Sequence, residues 1–204
     1  EPTKGYPQAV IDLDAALTYI NTQEEFTDLP ILLFGHSWGG YAVANLLHYD
    51  YEIVGVVTVS GANSAMEMIL EQGRSMMGGF ITTQYPYLWL YQRFLFGDTA
   101  SLNALDAINQ TEVPVLIVHG LEDAVVAYEG SSIISNINRM TNPNVRAISL
   151  HEVGHSGHNN IFRSSESVDY IDAINIEYRK LYDFHDQDIP YEVHKDFYKR
   201  IDRF

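Results

Sequence analysis

One stretch constrains this chain more than any other: Pro30-Ile31-Leu32-Leu33-Phe34-Gly35-His36-Ser37-Trp38-Gly39-Gly40-Tyr41-Ala42-Val43-Ala44-Asn45-Leu46-Leu47. Its first half is an apolar run opened by a proline, which reads as a strand buried on both faces; its second half spaces apolar residues as a helix does. Between them lies Gly35-x-Ser37-x-Gly39. A serine in so tight a strand-to-helix turn calls for small residues two positions to either side, since side chains there would collide. The Ser37 hydroxyl is then held at the carboxyl end of a sheet. The Trp38 amide, in the first turn of the next helix, points to where an oxyanion would form, and the helix dipole adds to that field.

The rest of the chain fits one α/β domain over residues 1–204. An apolar fraction of 46% suffices for a core. A formal charge of −15 argues against a nucleic-acid partner and would repel polyanionic substrates or an anionic membrane surface. Without cysteine there is neither a disulfide, a thiol nucleophile nor a thiolate metal ligand. No apolar run reaches membrane-span length, and Glu1-Pro2-Thr3-Lys4 does not read as a signal peptide, so no targeting signal is expected within this chain. Asn109-Gln110-Thr111 fits a glycosylation sequon, a triplet common by chance.

Along the chain, residues 7–21 place Val10, Leu13, Leu17 and Ile20 on one helical face, with Asp12 and Asp14 near the amino end. After the Ser37 turn and its helix to about Leu47, residues 52–61 form a β-branched run closed by a glycine, a second interior strand. Residues 113–120 read as a third interior strand, a helix is expected over 131–140, and a fourth strand over 144–150. Strands alternating with helices imply a parallel sheet flanked by helices.

Residues 62–105 break this rhythm with Met66, Met68, Met76, Met77, Phe80, Tyr85, Tyr87, Trp89, Tyr91, Phe94 and Phe96. Two short helices are expected there. Most of the aromatics would pack as a helical layer on the sheet; the functional alternative is a lid walling an apolar pocket over the serine. A histidine-rich loop spans 151–160, a long helix 165–184, and a helical tail about 185–204, in which Val193, Phe197, Tyr198 and Ile201 would pack back on the body.

A serine hydroxyl needs a base near neutral pKa, and the base needs an acid to fix its tautomer. Candidate acids, Glu122 and Asp123, follow the third strand; candidate bases, His155 and His158, follow the fourth. All would therefore meet Ser37 at one edge of the sheet. His36 and His119, in strand-terminal turns, read as structural. One competing string is His151-Glu152-Val153-Gly154-His155, which matches the H-E-x-x-H zinc motif. That chemistry requires a helix, which Gly154, Gly157 and the preceding strand disfavour.

Gly35-His36-Ser37-Trp38-Gly39-Gly40, His119-Gly120-Leu121-Glu122-Asp123 and either Gly154-His155 or, more closely, Gly157-His158-Asn159, in the order serine, acid, histidine, resemble the nucleophile elbow, acid turn and histidine loop of the α/β-hydrolase superfamily. The resemblance covers residues 7–182 and implies a serine hydrolase needing no cofactor. Ser37 would be the nucleophile, Asp123 the acid, His158 the base and Trp38 the oxyanion donor, acting on an ester, thioester or amide; the aromatic, methionine-containing insertion points to a small uncharged acyl substrate. That superfamily carries several strands before its elbow, whereas here one helix precedes it. A missing amino-terminal segment, with the second oxyanion amide, is therefore expected. The alternative is a catalytically inactive binding module of the same fold.

Overall fold

The computed structural model describes residues 5–26, 28–184 and 190–201. The expectation for residues 1–4 and parts of that for the carboxyl-terminal tail (185–189, 202–204 and the Ile201 side chain) lie outside the described residues. The chain divides into two compact units, Glu1–His151 with Ser156–His158, and Glu152–His155 with Asn159–Phe204.

In the first unit, helix α1 (Tyr6–Asn21) starts with Pro7 in its first turn, where a missing N–H costs nothing. It buries Val10 and Leu17. Strand β1 (Ile31–His36) runs through the Ser37 turn into α2 (Trp38–Asn45). Strand β2 (Ile53–Val59), rich in β-branched residues, follows. Next come α3 (Ala65–Met77), α4 (Ile81–Phe96), α5 (Ala104–Asn109), β3 (Val115–Gly120) and β4 (Val145–Leu150). The four strands pair in parallel in the order β1-β2-β3-β4. In register His36 faces Val59, Val59 faces Val118, and His119 faces Ser149. All four strands thus end at one edge, from which the loops carrying the candidate residues depart.

The core joins Val10 and Leu17 of α1, Tyr41, Val43 and Leu46 around α2, and Leu33, Ile53, Val56, Val115 and Ile117 of the sheet. Strand β1 is not buried on both faces as its composition suggests. It is the outermost of the described strands on its side, and Leu32 and Phe34 are 61% and 58% exposed while Leu33 is buried. Exposure alternates with the period of two that a strand covered on one face produces.

The insertion also departs from expectation. Its two helices are long, and among the large apolar side chains of these helices only Met66, Met68, Ile81 and Phe96 are buried. Met76 is 84% exposed and Phe94 85%, with Phe80, Tyr87, Leu90 and Tyr91 also in the open. Most of these aromatics are therefore not a layer packed on the sheet. The helix expected over 131–140 is a 3-10 turn, Ile134–Arg139. Its serines explain the difference: the Ser132 hydroxyl donates to the Tyr128 carbonyl and that of Ser135 to the Ser132 carbonyl, local bonds that compete with a helical ladder.

The second unit contains α6 (Ser165–Phe184) and α7 (Tyr191–Ile201). Phe197 is buried and meets the Tyr178 ring edge-on at 5.0 Å, and Arg200 pairs with Glu177 at 2.9 Å. Tyr198, expected to be packed, is exposed.

Candidate active site

Three loops leaving one sheet edge build the site. At the first, Ser37 holds φ 56° and ψ −117°, a conformation that costs a non-glycine residue roughly 1–3 kcal/mol and that recurs where function requires it. The turn is held by the Ser37 amide donating to the Val59 carbonyl at 2.8 Å. The glycines around it are not equivalent. A Cβ on Gly35 would run into the backbone of Gly39 and Gly40, and one on Gly40 into the Val59 carbonyl and Gly61. A Cβ on Gly39 would meet open space. The steric demand therefore falls on Gly35 and Gly40, not symmetrically about the serine. Trp38 opens α2, where first-turn amides have no partner inside the helix. Its indole donates to the Tyr6 carbonyl at 3.0 Å, tying the elbow to α1.

The second loop follows β3. Asp123 is buried, and its Oδ1 accepts the amides of Val125 and Val126, each at 2.9 Å. His119, fully buried, lies with Nε2 2.9 Å from the Val126 carbonyl and 3.3 Å from Asp123 Oδ2. A carbonyl only accepts, so Nε2 carries the proton, and Nδ1 is left without a partner among the described residues. Burial works against the charge on Asp123. The hydrogen bonds from His119, His158, Val126 and Val125 outweigh it and hold the carboxyl far below the usual carboxylate range.

The third loop follows β4 and crosses directly over the end of β3. A Cβ on Gly120 would collide with the backbone of Ser156, so this glycine is what lets the two loops touch. The contact is fastened by the Glu122 amide donating to the Ser156 carbonyl at 3.0 Å and the Ser156 hydroxyl donating to the Glu122 carboxylate at 2.6 Å. Glu122 is thus a loop fastener rather than a freely solvated residue.

Two residues on, the His158 imidazole lies between serine and acid. Nδ1 is 2.8 Å from Asp123 Oδ2 and 3.0 Å from Oδ1, and Nε2 is 2.7 Å from Ser37 Oγ. A carboxylate only accepts, so Nδ1 carries the proton and Nε2 offers its lone pair to the hydroxyl. The His155 imidazole instead bonds the Ser165 hydroxyl at 3.0 Å.

His36 takes part in this frame as well. Its Nε2 donates to the main-chain carbonyl of His158 at 2.8 Å, and the two rings lie 5.0 Å apart. Read from the sequence as satisfied on neighbouring backbone, it reaches across 122 positions. Its place next to the serine is the one signal that could have flagged it. The His151–His155 string is not helical, and Gly154 has φ 81°, so the one-turn spacing that would aim two histidines at a zinc ion is not present. Asn109 of the sequon is already engaged: it accepts the Thr141 amide at 2.7 Å and donates to the Arg139 carbonyl at 3.2 Å. No helix among the described residues is long and apolar enough to cross a membrane.

Comparison with known proteins places the fold. Residues 7–189 match the model of the prolyl oligopeptidase family. The fold is similar to that of the Pyrococcus furiosus esterase Pf2001 (TM-score 0.55, 20% identity, 80% of this chain and 59% of that one). It is also similar to an acetyl xylan esterase from Paenibacillus sp. R4 (0.55, 16%, 82% and 52%) and to the Pyrococcus horikoshii acylaminoacyl peptidase (0.51, 15%, 76% and 24%). The chain spans little more than half the length of the two esterases. It matches no curated protein sequence. The match over most of its length assigns the chain: it belongs to the prolyl oligopeptidase family, within the α/β-hydrolase superfamily.

Proposed function

We propose that this chain is a serine hydrolase that cleaves a carboxylic ester through a covalent acyl-enzyme. The reading rests on a single observation, the unbroken Ser37, His158, Asp123 hydrogen-bonded line at the sheet edge. Ser37 Oγ attacks the acyl carbon as its proton passes to His158 Nε2, and the negative charge on the carbonyl oxygen is met by the Trp38 amide. When the carbon–oxygen bond to the leaving alcohol breaks, Nε2 returns its proton to that alcohol. Water then gives a proton to Nε2 and attacks the acyl carbon, and Ser37 leaves with that proton. Asp123 stays ionised throughout and steadies the imidazolium. Thioesters and amides have the same acyl carbon and are the neighbouring substrates.

The acyl group is uncharged and of modest size. Supporting this, α4 carries no carboxylate in a chain of net charge −15, and α3 and α4 present methionine and aromatic side chains. Nitrophenyl esters of increasing acyl length, with and without a terminal carboxylate, test both parts. Neutral short or aromatic acyl groups are expected to turn over fastest, and Ser37→Ala to lose at least about a thousandfold in kcat. Equal rates on charged and neutral acyl groups would contradict the substrate class. No Ser37-dependent turnover at all would favour an inactive binding module.

A further inference from the structure

We propose that Glu71, on the inserted helix α3, is a positioning residue that sets the orientation of the acid Asp123. Glu71 is far from Asp123 in sequence and belongs to none of the motifs that carry the chemistry. Its carboxylate nevertheless closes over the segment that follows the acid. Oε1 accepts the Ala127 amide at 2.9 Å and Oε2 the Ser131 amide at 2.7 Å. Hydrogen bonds from main-chain amides to a carboxylate are among the stronger ones a fold can make.

The amide of Ala127 and the carbonyl of Val126 belong to one planar peptide unit, which cannot turn one group without the other. That carbonyl accepts the proton on His119 Nε2, and the next amide back along the chain, that of Val126, donates to Asp123 Oδ1. The unit is therefore held from two directions, by Glu71 on its N–H and by His119 on its C=O. Its attitude in turn aims the Val126 and Val125 amides at the acid. Two carboxylates grip one short segment: Asp123 takes the amides of 125 and 126, Glu71 those of 127 and 131.

The segment is shaped for the clamp. Gly130 donates its amide to the Ala127 carbonyl at 2.9 Å, closing a turn, and a Cβ at Gly130 would run into Glu71 Oε2. A side chain there would push the carboxylate off its two amides. Further ties fix α3 and the residues leading into it to the same segment: the Ser131 hydroxyl lies 2.8 Å from Met68 Sδ, and the Asn63 amide donates to the Ser131 carbonyl at 2.7 Å. A displacement of α3 is accordingly passed to the acid, which makes the insertion part of the catalytic frame and not only a wall beside it.

The proposal rests on the triad reading, and its test separates the two. The proton on His158 Nδ1, bonded to Asp123, gives a low-field proton NMR resonance that is read without substrate and assigned by its loss in His158→Ala. Glu71→Ala and Gly130→Ala are expected to shift or broaden that resonance, and to lower kcat about tenfold or more with KM within about twofold. Glu71→Gln keeps the shape but one acceptor oxygen, and is expected to lie between Glu71→Ala and the native chain. The Glu71→Ala, Gly130→Ala double variant is expected to lose no more than the worse single variant. Folded variants that keep the native resonance and kcat, and lose only thermal stability, would overturn the proposal. Losses that multiply in the double variant would overturn it too. A native chain that shows the resonance but turns over no ester would undo the hydrolase reading and leave the clamp standing on the resonance shifts.

Discussion

Replacing Asp123 by Asn separates its two contributions. The carboxylate fixes the His158 tautomer, so Asp123→Asn is expected to lower kcat roughly a thousand- to ten-thousandfold, read by steady-state ester hydrolysis. It also stabilises the fold. The folded pKa lies below the unfolded value of about 4, so the contribution is fully present above that value and is lost as pH falls through the folded pKa. Urea unfolding should show Asp123→Asn less stable than the native chain at pH 7, with the gap closing well below pH 4. His36→Phe removes the donor to the His158 carbonyl and keeps a ring of similar size. One lost hydrogen bond at the proposed base corresponds to about 1 kcal/mol, so kcat should fall about fivefold to tenfold with little change in KM. Ser37, Asp123 and His158 were legible because each sits in a local motif. His36 and Glu71 were not, because what defines them is a partner 122 and about 60 positions away, which no local pattern records.

The elbow and the loop crossing depend on glycines whose demands differ. Gly39→Ala is expected to leave stability within about 0.5 kcal/mol and activity unchanged, since its Cβ meets open space. Gly35→Ala and Gly40→Ala each force backbone against backbone and should cost about 1–3 kcal/mol or more, read by chemical denaturation. The motif string alone treats Gly35 and Gly39 alike; only the closing of the first turn of α2 over the end of β1 tells them apart. Of the elements, α1, β2, β3 and α6 were legible because apolar periodicity and β-branched runs act locally. The burial of β1 was not, because an apolar run does not say which of its faces a neighbour covers. The 3-10 turn at Ile134–Arg139 was missed for the reverse reason: its apolar residues fit a helix, and serine bonds to nearby carbonyls decide otherwise.

Across the chain as a whole, the candidate site gathers within one of the two units. All three triad candidates, the elbow amide, His36, His119 and the Glu71 clamp lie within the first unit, on loops from a sheet whose four strands end in register. The same unit leaves Leu32 and Phe34 of β1 in the open, and the chain's formal net charge of −15 opposes association with anionic surfaces. The proposed chemistry requires that the Ser37 hydroxyl be a nucleophile in this frame. A fluorophosphonate probe followed by peptide mass spectrometry measures that directly, without assuming a substrate. The mass of the probe is expected on the peptide containing Ser37, absent in Ser37→Ala and formed far more slowly in His158→Ala. A folded native chain that takes up no probe, or takes it up at another serine, would contradict the account.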